Sequence, residues 1–218
     1  MNCSSYCGCN PLYDAMFDKQ YALSELKRYN KKGMRKETKM LFDALKTLSA
    51  KRSVTEIGSG IGILAINLTK TGVSKYTGTE LSQFSLETAK KLVEEENLQK
   101  KITFIPQNLI ENPKSLKPSS IILSDKVICC YPDMESFMHT TLSKAKKYYA
   151  IVHPKENIFT KTGSYIANRL LQFTKRKGFK TYIHSTKRIQ EIISSYGFNK
   201  IFHGQTFIWE IFVYEKSQ

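Results

Sequence analysis

The chain has 218 residues, 41% hydrophobic and 24% charged, enough to bury one sizeable core and consistent with one embellished domain. No stretch approaches the roughly 18 apolar residues that span a bilayer, and no basic segment leads into an apolar one at the N-terminus, so a cytoplasmic protein without a membrane span is expected. The formal charge of +15 at pH 7 draws polyanions, yet only six of the 34 basic residues are arginines, the side chain suited to bidentate contacts with phosphates and bases, so much of the excess reads as solvated lysine surface.

Five cysteines make an odd count: Cys3, Cys7 and Cys9 near the N-terminus, then Cys129 beside Cys130. Reduced thiols are expected. The spacing Cys3-x3-Cys7-x-Cys9 is not that of a paired zinc site, and no histidine lies nearby in sequence, so no metal is expected.

In chain order, residues 1–50 carry a helix-like segment at 21–32, a break at Gly33 and a second helix at about 36–48, and we read them as an N-terminal helical arm or cap. Residues 51–218 form the main domain. Strand-length apolar runs at 54–57, 75–79, 102–105, 120–124 and 148–152 alternate with helical patterns, the rhythm that specifies a parallel sheet covered by helices. The first helix follows at 63–72, with Gly72 as its stop, and Ser82 opens the next through about Asn97. His153-Pro154 is expected to stop the fifth strand. A basic, partly apolar segment at 155–180 then carries an imperfect helical stripe through Ile158, Phe159, Tyr165, Ile166, Leu170, Leu171 and Phe173. Its length predicts a lid-like insertion. Ser185 caps a helix to about Tyr196, Gly197 ends it, and strands at 200–203 and 207–214 close the chain as an antiparallel hairpin.

The stretch Glu56-Ile-Gly58-Ser59-Gly60-Ile-Gly62 sits at a strand-to-helix junction, where glycines permit a tight turn and close approach of a ligand. It departs from the dinucleotide pattern G-x-G-x-x-G: the third glycine comes one place early, at Gly62, and Ile63 fills the expected position. Glu56 would repel a pyrophosphate, whereas it suits a ligand with an amino group and a sulfonium. With Glu80 at the next strand end, the pattern resembles motifs I and II of class I S-adenosylmethionine-dependent methyltransferases. The resemblance spans about residues 51–218. It implies an α/β, Rossmann-like, seven-stranded, mostly parallel sheet with helices on both faces and an antiparallel C-terminal strand. It also implies S-adenosylmethionine as cofactor, with S-adenosylhomocysteine as product. By the same resemblance Glu56 lies near the methionine moiety, Gly58, Ser59, Gly60 and Gly62 line the cleft, Glu80 and Leu81 meet the ribose, and Asn108 stands where relatives place an aspartate toward the adenine. Glu80 is expected as an exposed strand-end carboxylate with no part in holding the core.

After the fourth strand, Asp125 through Cys129-Cys130-Tyr131-Pro132-Asp133 forms the acceptor-facing edge by the resemblance. It is neither the N/D-P-P-Y/F of amino-directed base methyltransferases nor the Pro-Cys of cytosine C5 enzymes. Its Asp and Tyr-Pro are loosely similar to small-molecule O-methyltransferases, including the magnesium-protoporphyrin type. If an acceptor must lose a proton, Asp125 and His153 are the candidate bases, and Tyr13, Tyr21 and Tyr131 are candidate acceptor contacts. The expected reaction is in-line methyl transfer in a closed cleft to a small molecule, an anionic one included. An RNA- or protein-directed methyltransferase and a non-catalytic cofactor-binding module are the alternatives, and the oligomeric state is open.

Overall fold

The architecture was read from a computed structural model, which describes residues 11–49, 52–108 and 112–217. Seven strands, β1 Ser53–Ile57, β2 Lys75–Glu80, β3 Ile102–Pro106, β4 Ser119–Asp125, β5 Ala145–Pro154, β6 Phe198–Gln205 and β7 Trp209–Lys216, form one sheet. Their order is β3-β2-β1-β4-β5-β7-β6. β1, β2, β3, β4 and β5 pair in parallel, while β7 runs antiparallel between β5 and β6.

Side chains alternate across this sheet because successive strand residues point to opposite faces. Ile121 and Leu123 of β4 join Tyr148 and Ala150 of β5 and Val213 of β7 in one core; Ile122, Tyr149, Ile151 and Phe212 enter the other. Helices α3 Lys36–Leu45, α4 Ile63–Lys70 and α5 Gln83–Glu95 cover the first face. Helices α6 Met134–Leu142 and α8 Thr186–Ser195 cover the second. The remaining helices are α1 Pro11–Met16, α2 Lys19–Lys32 and α7 Ile158–Leu171.

Local chemistry explains most boundaries. Asp18, Ser82, Asp133, Asn157 and Ser185 each accept a backbone N–H as helix N-caps, and Gly33, in the left-handed region at φ 71°, closes α2. Two expectations need correction. The second arm helix ends at Leu45 rather than about 48, and a turn follows in which Ser49 N–H bonds the Leu45 carbonyl. The fifth strand does stop at His153-Pro154, but it includes both residues, Pro154 being its last and pairing with Trp209. A proline in a strand's last position withholds only one donor, so the ladder tolerates it there.

The arm is part of this architecture rather than an appendage. Leu41 and Leu45 of α3 are fully buried among α4, β5 and β7 side chains, and Met40 reaches Gly204 of β6, where an added Cβ would come within 2.6 Å of its terminal carbon. Leu41→Ala is therefore expected to lower stability by about 2–5 kcal/mol, the range for a buried leucine truncated in a core. Urea unfolding of the variant against the parent measures it.

Candidate functional site

In an open parallel sheet the strand order reverses at a switch point, here between β1 and β4, and ligands bind beyond the carboxyl ends of the strands there. The turn after β1 occupies that place. Ser59 N–H bonds the Thr79 carbonyl of β2 at 2.9 Å and Gly62 N–H bonds the Ser59 carbonyl at 3.0 Å, which folds the chain back over the strand ends. Gly60 has φ +53° and a Cβ built on it meets nothing within 4 Å, so its bare backbone borders open cleft. Gly62, at φ +79°, is different. A Cβ there would come within 2.8 Å of the Phe104 ring and 3.2 Å of Ala89, so this glycine lets α4 settle on β3 and α5 and is not among the cleft-lining residues expected of it. Ser59 lines the cleft too, but its hydroxyl lies against Gly78 of β2.

Three strand-end carboxylates converge on the cleft: Glu56 at the end of β1, Glu80 at the end of β2 and Asp125 at the end of β4. Glu56 is 2% exposed and accepts a 2.7 Å hydrogen bond from the Tyr76 hydroxyl. Burial pushes its carboxyl up to about 8; the Tyr76 hydrogen bond opposes this, and the negative charges of Asp125 and Glu80 reinforce it. Glu80 is not the exposed strand-end carboxylate expected. It is buried, and it accepts the backbone N–H groups of Gly60 at 2.7 Å, Leu81 at 2.8 Å and Ser82 at 2.9 Å. Burial raises its pKa, and those three N–H groups pull it back. Leu81 lines the cleft beside it.

The N-terminal arm closes the other side. Tyr13, Phe17, Tyr21, Glu25, Arg35 and Thr38 all line the cleft. The arm is fastened at both ends of the site: the Ser82 hydroxyl donates to the Phe17 carbonyl at 2.7 Å, and the Thr38 hydroxyl donates to Asp125 at 2.6 Å. Lys126 bonds both Thr38, at 2.7 Å, and Asp125, and lies 3.4 Å from Glu37. Arg35 pairs with Glu25 at 3.2 Å through Nε, and Arg28 reaches the same carboxylate at 3.5 Å. Burial pushes the Tyr21 phenol up to about 12, with the Glu25 charge adding to the effect. Tyr131 and Cys130 complete the wall after β4.

Of the residues picked out from sequence, Glu56, Gly58, Ser59, Gly60, Glu80, Leu81, Asp125, Tyr13, Tyr21 and Tyr131 share this cleft. His153 does not. Its ring is buried against Phe212, its Nδ1 bonds the Pro154 carbonyl at 2.9 Å, and burial lowers its pKa. Asn108 is also absent from the lining, and Gln107 stands there instead. No residue of 155–180 lines the cleft. Cys3, Cys7 and Cys9 lie outside the described residues, among which no group of three His, Cys, Asp or Glu side chains could hold a metal. Sequence reading missed Thr38, Arg35 and Lys126, which no motif marks; Lys126 takes a left-handed φ of 64° and folds back over its neighbour Asp125.

Comparison with known proteins agrees with this geometry. The family model described as "Methyltransferase small domain" matches residues 24–125. Among solved structures, the chain is similar to magnesium protoporphyrin IX methyltransferase from Synechocystis PCC 6803 with bound S-adenosylhomocysteine, at 16% identity and a TM-score of 0.69 over 93% of this chain and 98% of that one. The same enzyme with bound S-adenosylmethionine aligns over 100% of both chains at 15% identity and a TM-score of 0.67. Geranyl diphosphate C-methyltransferase from Streptomyces coelicolor aligns over 91% of this chain and 84% of that one, at 12% identity and a TM-score of 0.66. No curated protein matches the chain by sequence.

The residues present fit the cofactor of these structures. A buried, carboxylate-rich cleft repels a pyrophosphate and favours a ligand carrying an amino group and a sulfonium, and open space over Gly60 leaves room for close approach. Two alanine variants separate the roles of the glycines. Gly60→Ala is expected to cost about 1–2 kcal/mol for the left-handed backbone alone and to weaken S-adenosylhomocysteine binding; Gly62→Ala adds a clash with Phe104 and should lower the melting midpoint further. Thermal melts with and without S-adenosylhomocysteine read both effects. The sheet order, the glycine turn with its carboxylates and the family match over residues 24–125 together make the chain similar to the class I S-adenosylmethionine-dependent methyltransferases.

Proposed function

We propose that this methyltransferase acts on a small-molecule acceptor enclosed between the strand ends and the N-terminal arm, residues 1–50 serving as a cap on the domain formed by 51–218. The observation that carries this reading is the cleft's lining: aromatic rings from the arm, Tyr13, Phe17 and Tyr21, face Tyr131 and the three carboxylates. The cations among the described lining residues are Arg28, Arg35 and Lys126, and each is engaged by Glu25 or by Asp125. A nucleic-acid acceptor needs an electropositive groove open to its backbone, and this lining supplies none. Anionic small acceptors gain little here for the same reason.

Bound S-adenosylmethionine supplies a methyl group on a positively charged sulfur. The chain's task is then to align acceptor and methyl in a space from which water is excluded, and alignment of this kind contributes much of a displacement's rate. In our reading Glu56 and Asp125 hold the cationic end of the cofactor, and Glu80 fixes the turn while taking the ribose on its remaining lone pairs. Tyr13, Tyr21 and Tyr131 position the acceptor. Asp125, which lines the cleft, is the candidate to take an acceptor proton; His153 is buried against Phe212 and does not line the cleft.

Two measurements test the reading. Tritiated-methyl S-adenosylmethionine incubated with fractionated extract should label the low-mass fraction, and label confined to RNA or protein would refute the small-molecule acceptor. The electrostatics make a second expectation. With Glu56 titrating near 8 in the free protein, it is largely protonated at pH 7 and must ionise to hold a cation. Calorimetry at pH 7 in buffers of different ionisation enthalpy should therefore show net proton release on S-adenosylmethionine binding, and Glu56→Gln should abolish it. The sign for folding follows too: a carboxyl raised from 4.5 to about 8 stabilises the free protein below pH 4.5, and that contribution is lost as pH rises through 8. The stability of Glu56→Gln relative to the parent should therefore increase from pH 5 to pH 8 in ligand-free melts.

A further inference from the structure

Helix α7 is built inside out. Its apolar stripe would face a core if it packed on the sheet, yet none of its residues is buried. The protein-facing side is the polar one. Ser164 and Asn168 hydrogen-bond the Thr181 carbonyl at 3.0 and 2.8 Å, Thr181 N–H returns a bond to Asn168 at 2.8 Å, and Asn157 with Thr160 forms a capping box at the start. Outward go Ile158, Phe159, Tyr165, Ile166 and Leu170, followed by Phe173, with Phe159 71% and Phe173 84% exposed. The turn between β6 and β7 extends the patch: Phe207 is 79% exposed and its ring lies 6.3 Å from that of Phe159. Lys155 N–H bonds the Ile208 carbonyl at 2.7 Å and ties the two segments together. A contiguous aromatic and aliphatic surface of this kind, held in place by hydrogen bonds on its other side, marks an interaction face.

Charge identifies what it meets. Between 155 and 180 Glu156 is the sole acid among seven basic residues, and Lys161, Arg169, Lys175, Lys177 and Lys180 are exposed around the apolar stripe. A second copy of this chain, itself at +15, would bring like charges together across such a face. A basic rim around exposed Phe, Tyr, Ile and Leu is the pattern of helices that lie in a lipid interface, where rings enter the headgroup boundary and lysines meet anionic lipid. We infer that α7 and the β6–β7 turn dock the chain on an anionic membrane surface. No described helix is long and apolar enough to cross a membrane, so the attachment is peripheral and reversible. This inference does not depend on the identity of the methyl acceptor.

Co-sedimentation of the full chain with vesicles tests it, using phosphatidylcholine alone and phosphatidylcholine with phosphatidylglycerol. Binding to the phosphatidylglycerol vesicles, weakened by added salt, is expected, with little binding to phosphatidylcholine alone. The double substitution Phe159→Ser and Phe173→Ser should reduce partitioning by about tenfold or more, since two rings would no longer leave water. Both side chains are exposed, so the melting midpoint and S-adenosylhomocysteine binding should be unchanged, which separates lost docking from misfolding. Failure to bind anionic vesicles overturns the proposal, as does undiminished binding by the double variant. Light scattering that finds a dimer which the double variant dissolves, without vesicle binding, would assign the face to a second copy and likewise overturn it.

Discussion

The carboxylate of Glu80 is the constraint on which the rest of the site depends. Its two oxygens gather three backbone N–H groups, two of them on the buried residues Leu81 and Ser82. Through Gly60 it fastens the turn after β1; through Leu81 and Ser82 it fixes the entry to α5. Ser82 then caps that helix and holds the Phe17 carbonyl of the arm. Hydrogen bonds to an ionised acceptor contribute about 1.5–3 kcal/mol each, so three offset much of the cost of burying the charge. One side chain thus couples turn, helix and cap.

The cleft pairs like charges on purpose. Glu56, Glu80 and Asp125 end neighbouring strands β1, β2 and β4, and their mutual repulsion adds to the desolvation of Glu56. In the free protein the raised pKa of Glu56 relieves this repulsion by protonation, and a cation entering the cleft would relieve it instead. The arm supplies Thr38, whose hydroxyl donates to Asp125 and holds it in place.

Most of the sheet was legible because each strand is a short apolar run bounded by a turn signal, and the glycine turn was legible because three glycines after a strand have few other uses. Individual roles were less so. Gly62 sits in the motif beside Gly60, but only tertiary packing shows that its missing Cβ makes room for Phe104 and Ala89 rather than for a ligand. Glu80 was placed correctly at the strand end, yet its burial follows from the arm, whose packing carries no motif. His153 looked catalytic from its strand-end position; the antiparallel neighbour β7 brings Phe212 over its ring and closes it off. The stripe on α7 was visible as a period, but periodicity does not state which side of a helix the protein takes.

The packing of α3 on β7 has a consequence for how the chain is made. Leu41 and Leu45 share a core with Ile211 and Val213, from which most of the sequence separates them. During synthesis the first apolar stripe emerges long before its partner, and contacts so distant in sequence are slow to form. The arm of a nascent chain must therefore wait until β7 has been synthesised. Until then both leucines lack their core partners, whereas in the finished molecule, with β7 in place, both are fully buried.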